Sequence, residues 1–584
     1  MSLVRSVAET AEAVPGRRRW ERADALVVGC YALVAFLVFH RLWADPGDRY
    51  LVDGGQDQNQ WEWFFAVTAR AVLQWDNPLF TDLQNHPLGV NLMGNTPMLG
   101  LSVPLAPVTL LAGPGVTWAL VMTGGMIATA TAWYRLMVRH LVRERVSAAI
   151  GGGFCAFAPP VVSHANAHPN FVVLFVLPFI VGRLIRIAGG GRVVRDGVVL
   201  GLLAVYQLFL GEEALLLLAT GLVIFFVGHR PSWAVTRRLA AGAGVAAGVA
   251  LPLVAYPLTW QFFGPQSYDG LIHGPWGNDV AQLTAFARQS LAGHTADGPL
   301  DASPTEQNAF FGWPLAVLVV ALAVWLWRSA LVKALVLVIV AATLLSLGPQ
   351  IVVNGRPTGI PGPWWVMAQL PLYESVVESR LTMVAVPAIG VLLALGSDRA
   401  LATPARLMWY LVLVQALLPI APKPLAVDDR VDAPAFFAEG GWRTYVGEGR
   451  SIMPVPPPDA GDAEALHWQV VAGLDFALPE GYFVGPFGPD RQGGYGAVQS
   501  PTSRLLNKVE EDGLVPEVGV AERAAFHADL RRWRADAVVL DLRRHRAREL
   551  GATVAALLGP GRLVGGLWVW DVRALTRATA TGRP

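Results

Sequence analysis

Ala25-Leu-Val-Val-Gly-Cys-Tyr-Ala-Leu-Val-Ala-Phe-Leu-Val-Phe-His-Arg-Leu42 is an apolar run close to the ~20 residues a helix needs to cross bilayer hydrocarbon. Arg5, Arg17, Arg18, Arg19 and Arg22 precede it, and no small-residue cleavage site follows. It therefore reads as an uncleaved first span and not as a removable secretory signal.

The same hydropathy recurs downstream. Further spans are expected at 115–134, 146–163, 171–187, 197–211, 213–228, 239–259, 314–328, 331–348, 381–397 and 406–422. With 584 residues, 53% of them apolar and 15% charged, and a mean hydropathy of +0.43, the chain is too apolar for a soluble protein of this length. The expected fold is an α-helical polytopic membrane bundle of about eleven transmembrane helices.

Charge placement orients that bundle. One set of loops holds the N-terminal arginines, Arg135 to Arg145, Arg183 to Arg195, Arg230 to Arg238, Arg328 with Lys333, and Arg399 with Arg406. The alternate loops hold only Arg41, Arg49, Arg70, Arg288, Arg356 and Arg380, although they are much longer. The positive-inside bias then puts residues 1–24 in the cytoplasm of a multi-pass plasma-membrane protein. It also makes the apolar stretch Met98 to Leu111 a re-entrant or interfacial segment, because a full span there would move the Arg135 cluster outside.

Three external segments are long: 43–97, 261–313 and 348–380. Trp61 to Trp75 and Pro363 to Leu372 within them are expected to lie as amphipathic helices at the interface. From residue 423 charges become frequent, with strand-like runs at Ala535 to Leu542 and Leu563 to Val572 and a helical pattern from Ala521 to Trp533. A small extracytoplasmic α/β domain is expected over 423–584, after a transmembrane domain over 25–422. Net charge is +1, which gives no global field for nucleic acid, and the two cysteines, Cys30 and Cys155, have no metal-ligand or disulfide spacing.

The polar residues that could carry chemistry gather in the external loops. Leu51-Val-Asp-Gly-Gly-Gln-Asp-Gln-Asn-Gln-Trp-Glu-Trp63 supplies Asp53, Asp57 and Glu62. Asp57 either acts as an ionised acid that accepts a proton or ligates a metal, or merely caps the helix it opens. His86 and Asn91 lie in the turn-rich loop that follows. Ser163-His-Ala-Asn-Ala-His-Pro-Asn170 sets His164 and His168 one helical turn apart, with Asn170 beside them. Such a pair can hold a metal, but Pro169 and the lack of a nearby third ligand favour hydrogen bonding, so the signal for a divalent cofactor is weak. Glu213, in Gly211-Glu-Glu213, faces either a cavity or solvent. Arg380 either binds a phosphate, salt-bridges Glu374 or Glu378, or anchors the span at the interface.

Taken with the span pattern, Asp57-Gln-Asn-Gln-Trp-Glu-Trp63, Asn77-Pro-Leu-Phe80, His86-Pro-Leu-Gly-Val-Asn-Leu92 and His164-Ala-Asn-Ala-His-Pro-Asn170 resemble a group of actinobacterial polytopic membrane proteins related to the GT-C superfamily of glycosyltransferases. The resemblance covers most of 25–422. It implies that Asp57, or failing it Asp53, activates an acceptor and that Arg380 binds the phosphate of a polyprenyl-phosphate sugar donor. The sequence departs from many members in having Asp53-x-x-x-Asp57 in place of an adjacent acid pair. The implied activity is transfer of a sugar to an extracytoplasmic glycan, lipid or protein of the cell envelope. A lipid or solute transporter or flippase and a noncatalytic envelope-assembly protein are the alternatives; polar residues crowded on one side of nearly uncharged spans argue against alternating access.

Overall fold

The computed structural model describes residues 20–271, 273, 274, 277–294, 300 and 303–577; Arg5, Arg17, Arg18 and Arg19 lie outside them. Each of the apolar runs contains a helix, as hydrocarbon demands of a chain whose backbone polar groups must pair internally, although residues 172–175 of the run 171–187 are irregular and the run 406–422 is helical only to Leu417. Among the described residues, six helical segments are long and apolar enough to cross a membrane: Arg22–Trp43, Pro114–His140, Pro169–Ala188, Glu212–His229, Trp233–Phe263 and Glu378–Leu401. Arg145–Phe157, Trp313–Trp325, Ala330–Leu345 and Arg406–Leu417 are shorter apolar helices, and Val193–Leu208 is helical as well. The stretch Met98 to Leu111 breaks into two short helices, Leu99–Ser102 and Ala106–Ala112, neither long enough to span.

Small residues let the helices approach. A Cβ on Gly151 would lie 2.5 Å from the carbonyl oxygen of Gly390, and one on Gly390 would lie 2.6 Å from Cys155 Sγ, so helices Arg145–Phe157 and Ala385–Leu401 touch backbone to backbone. Gly197 and Gly201 make the same close approach to Gly242 and Ala246 of the long helix Trp233–Phe263. That helix keeps Trp233, Leu251, Leu253, Tyr256 and Phe263 exposed, an apolar face suited to a lipid solvent.

The loop after the first helix is built into the body of the protein. Arg49–Leu51 pairs antiparallel with Val427–Asp429, which lies beyond the last apolar helix. The helix Asp57–Gln74 was expected to lie on the interface, but it buries Trp61, Trp63, Phe64 and Phe65, and Trp63 Nε1 donates to Gln469 Oε1 at 2.5 Å. Protein replaces lipid as its apolar partner because the helix Glu464–Val471 packs across it. The segment from Pro363 forms only the short helix Trp364–Met367, with Trp365 and Val366 exposed.

Towards the C-terminus a four-stranded sheet runs in the order Arg562–Val564, Leu567–Asp571, Ala535–Asp541, Ser451–Pro454, the last pair parallel and the others antiparallel. Helices Pro501–Asp512, Val520–Arg532 and Ala547–Leu558 cover it around a second core that contains Leu506, Phe526, Leu530 and Val554. The run Leu563 to Val572, expected as one strand, folds as a hairpin because Gly565 and Gly566 take φ of +54° and +85°, the left-handed pair a tight reversal needs.

Candidate active site

Three loops and the start of one helix meet at one end of the bundle. The segment Pro159–His164 ends in His164, whose ring stacks on Phe171 at 4.7 Å between centroids. His164 Nδ1 and His168 Nδ1 are 2.9 Å apart, and His164 Nε2 is 2.9 Å from Asn308 Oδ1. Asn308 Nδ2 donates to Glu306 Oε2 at 2.8 Å and to Ser379 Oγ at 3.1 Å, which fixes its Oδ1 as the acceptor. His164 therefore donates from Nε2 and accepts at Nδ1 from the N–H of His168. Burial pushes the pKa of each imidazole down to about 4, so both are neutral at physiological pH. A neutral His168 that donates from Nδ1 carries its lone pair on Nε2, and that atom lies 3.6 Å from Asp57 Oδ2.

Asp57 occupies the first turn of its helix, but Gln56 is the N-cap, and Asp57 does not act as the cap it could have been. Its Oδ1 accepts a 2.5 Å hydrogen bond from the Tyr482 hydroxyl instead. The helix end was expected to keep it ionised; burial dominates and raises its pKa, opposed by His168, the Tyr482 hydrogen bond and Arg380.

Glu306 is the centre of the charge cluster. Arg380 donates to it from Nε, at 3.0 Å to Oε1 and 3.2 Å to Oε2, and from Nη2, while Nη1 donates to Glu213 Oε2 at 2.7 Å. Burial alone would raise Glu306, but the Arg380 guanidinium and the two histidines outweigh it and hold the carboxyl well below the usual range. Arg380 thus pairs with neither Glu374 nor Glu378, the neighbours expected from sequence; the partners come from remote loops that fold over it. Its guanidinium also lies 4.7 Å from the Phe171 ring centroid. Nη1 and Nη2 each keep a second N–H beyond these bonds.

Below Phe171 and one turn beyond Glu213 and Arg380 opens a cavity of about 460 Å³, walled by Leu217, Gly221, Leu335, Met383 and Val384 among other apolar side chains. Asn170, whose Oδ1 is buried without a hydrogen-bond partner, borders the turn at Gly211, and Glu213 Oε1 is likewise unpartnered.

The remaining expected residues stand elsewhere. Asp53 faces Arg288 at 3.4 Å and Gln289, not the cluster. Glu62 is buried on another face of Asp57's helix, where it pairs with Arg430 at 2.7 Å and accepts from Gln58 at 2.6 Å. His86 is buried against the carbonyl of Asp82, and Asn91 donates to the carbonyl of Trp260 at 2.7 Å. Sequence reasoning missed Glu306, Asn308 and Tyr482. An acid beside Gln307 and Asn308 just before an apolar span was a weak available signal for the first two; Tyr482 gave none.

The third ligand that the histidine pair lacked in sequence is Glu306: ligand atoms of His164, His168 and Glu306 lie within 4.8 Å of one another. Both nitrogens of His164 and both oxygens of Glu306 are, however, committed to hydrogen bonds. The donors that fit a divalent cation are His168 Nε2 and Asp57 Oδ2, an N/O set of the kind manganese or zinc accepts.

No protein-family model matches the sequence, and no curated protein matches it. Among solved structures, the arabinofuranosyltransferase AftD from Mycobacteria superposes with a TM-score of 0.59 at 14% identity, over 95% of this chain and 40% of that one. The apo oligosaccharyltransferase of Archaeoglobus fulgidus gives 0.50 at 12% identity, over 91% of this chain and 71% of that one. This chain therefore spans well under half of the arabinofuranosyltransferase's length. Both are membrane enzymes of the GT-C superfamily, and this chain has their fold.

Proposed function

We propose that the protein is a membrane glycosyltransferase that moves a sugar from a polyprenyl-phosphate donor to an acceptor hydroxyl on a glycan, lipid or protein of the cell envelope. The observation that carries this reading is the meeting of Asp57, His168 and Arg380, the last two joined through Glu306, next to Phe171, Ala214 and Met383, which line an apolar cavity. The free N–H groups of Arg380 receive the donor phosphate, and the cavity beneath receives the first isoprene units. The acceptor oxygen attacks the anomeric carbon as the carbon–oxygen bond to phosphate breaks. The bonding pair leaves with the phosphate, and the acceptor proton passes to Asp57 Oδ2 or, through it, to His168 Nε2. One base and no covalent intermediate give inversion at the anomeric carbon.

The positive-inside bias of the basic loops supports a site on the extracytoplasmic side, with the N-terminus in the cytoplasm, about eleven spans and the region from 423 outside.

The test uses purified protein in liposomes with a panel of short-chain polyprenyl-phosphate sugars, arabinofuranose included, and oligosaccharide acceptors, with and without chelator. Transfer from one donor that is abolished by Asp57→Asn in folded protein supports the proposal. Undiminished transfer by that variant, or lipid movement without transfer, overturns it.

A further inference from the structure

Tyr482 leads into a hairpin, Val484–Phe487 paired antiparallel with Gln492–Tyr495, whose register sets Tyr495 opposite Val484. Asn95 holds Val484 from both sides, accepting from its N–H at 2.6 Å and donating to its carbonyl at 2.9 Å. The second strand is tied to another external segment: Gly493 N donates to Gly270 O at 2.7 Å, and a Cβ on Gly493 would lie 2.6 Å from that oxygen. Leu271 N in turn donates to Ser375 Oγ at 2.9 Å, five residues before Arg380. Tyr482 and Tyr495 thus stand on one wall of the site, and that wall is anchored to the segment that carries the guanidinium.

The Tyr495 hydroxyl is held in one orientation. His273 Nε2 is 3.1 Å from the carbonyl of Ser375, which can only accept, so this nitrogen carries the proton. Nδ1 is then an acceptor, and Tyr495 Oη donates to it over 3.4 Å. Burial, with Arg380 nearby, pushes the pKa of His273 down to about 4, which keeps the ring neutral and this tautomer in place. Among the described residues no group donates to Tyr495 Oη, so its lone pairs are open to a ligand hydroxyl.

Tyr495 is 49% exposed, with His273 at a tilt of 52° and 6.2 Å between centroids. Arg380, Glu306, Glu213 and Asp57 all act on its hydroxyl, Arg380 most strongly of the four and Asp57 least. Tyr495 therefore lies on the guanidinium side of the site, away from the base. A sugar offers an apolar face of C–H groups and a rim of hydroxyls, which match an aromatic face beside an open acceptor oxygen. A sugar esterified to a phosphate on Arg380 begins one oxygen atom beyond the phosphorus, so a half-exposed ring on that side is placed to meet it.

We infer that Tyr495 is the platform for the donor sugar: its ring lies under the sugar face, and its hydroxyl, turned by His273, accepts from a sugar hydroxyl. The inference rests on the reading of Arg380 as the phosphate site and adds the group that tells a glycosylated carrier from a bare one.

The test is equilibrium binding to the full-length protein in nanodiscs. The probes are farnesyl phosphate and its arabinofuranosyl, mannosyl, glucosyl and galactosyl esters, and the readout is the Kd of each ester relative to farnesyl phosphate, which has no sugar to lose. At least one ester is expected to bind wild type more tightly than farnesyl phosphate does. Tyr495→Ala is expected to lower that preference by roughly tenfold, and Tyr495→Phe, which keeps the ring, by about threefold. No preference in wild type, or a preference that Tyr495→Ala retains, overturns the inference. An unchanged preference in Tyr495→Phe does the same should the alanine variant fail to fold. Intact ester preference in Tyr495→Ala with weakened binding of an acceptor oligosaccharide would place the platform on the acceptor side and also overturn it. Those outcomes leave the phosphate role of Arg380 standing, whereas failure of wild type to bind farnesyl phosphate at all overturns that role and both readings with it.

Discussion

Arg380 grips Glu306 through Nε and Nη2, and in doing so ties the start of helix Ala385–Leu401 to a loop that precedes Trp313–Trp325. The same guanidinium reaches Glu213 at the head of another helix. One cation therefore neutralises two part-buried acids and still offers N–H groups to a ligand.

Arg380→Ala leaves Glu213 and Glu306 without their cation. Loss of one partner of a buried pair costs about 3–5 kcal/mol, so thermal unfolding in detergent should shift to lower temperature. Adding Glu306→Gln should restore part of the stability without restoring transfer. Arg380→Lys keeps the charge but not the planar fork, and transfer should fall by about 100-fold with a smaller loss of stability.

The pH dependence of transfer follows from the burial of Asp57. A general base must be ionised, and burial raises the pKa of this acid. kcat/KM should therefore rise with pH along a limb above the ordinary aspartate range, and fall as the pH drops through it. The histidines, pushed down to about 4, should add no limb near the usual imidazole value. A pH–rate profile checks both statements, and the residual rate of Asp57→Asn should lack the limb.

Glu480 gives a stability effect at the wall of the site. It is 5% exposed, accepts from Ser503 Oγ at 2.6 Å, and burial raises its pKa from 4.5 to about 7. The folded state holds this proton more tightly than the unfolded chain does, so stability is greatest below the unfolded value and declines as pH rises through the folded one, by about 3 kcal/mol in total. Glu480→Gln should unfold at higher temperature than wild type at pH 8 and match it at pH 4. Equal melting at both pH values would show that Glu480 stays ionised at little cost.

Gly54 tests how firmly the acidic and histidine loops are joined. A Cβ there would sit 2.2 Å from the carbonyl oxygen of Asn166, which lies between His164 and His168. Gly54→Ala should cost roughly 1–3 kcal/mol and slow transfer as the loops part. A variant with unchanged melting and rate would show that the loops separate freely.

The helices were legible because an apolar run near twenty residues has a single stable form in hydrocarbon, and every such run from Ala25 to Leu42 onward contains a helix. Asp57, His168 and Arg380 were legible as candidates because ionisable side chains are nearly absent from the spans and gather in the loops on one side, where arginine is scarce. Their partners were not. Glu306 and Tyr482 come to Arg380 and Asp57 only by tertiary folding, and no periodicity encodes a contact between distant loops. For the same reason the partner of Glu62, a candidate supplied by the same segment as Asp57, was not legible: it forms a buried pair with Arg430 on another face of the helix.

The pairing of Arg49–Leu51 with Val427–Asp429, followed at once by the Arg430 to Glu62 contact, fixes where the polypeptide can be divided. A cut at 422 would strand one stitch of the first loop on the other fragment, whereas a nick after 432 leaves that seam whole. Complementation by co-expressed fragments should therefore depend on ten residues that hydropathy alone would assign to the soluble piece.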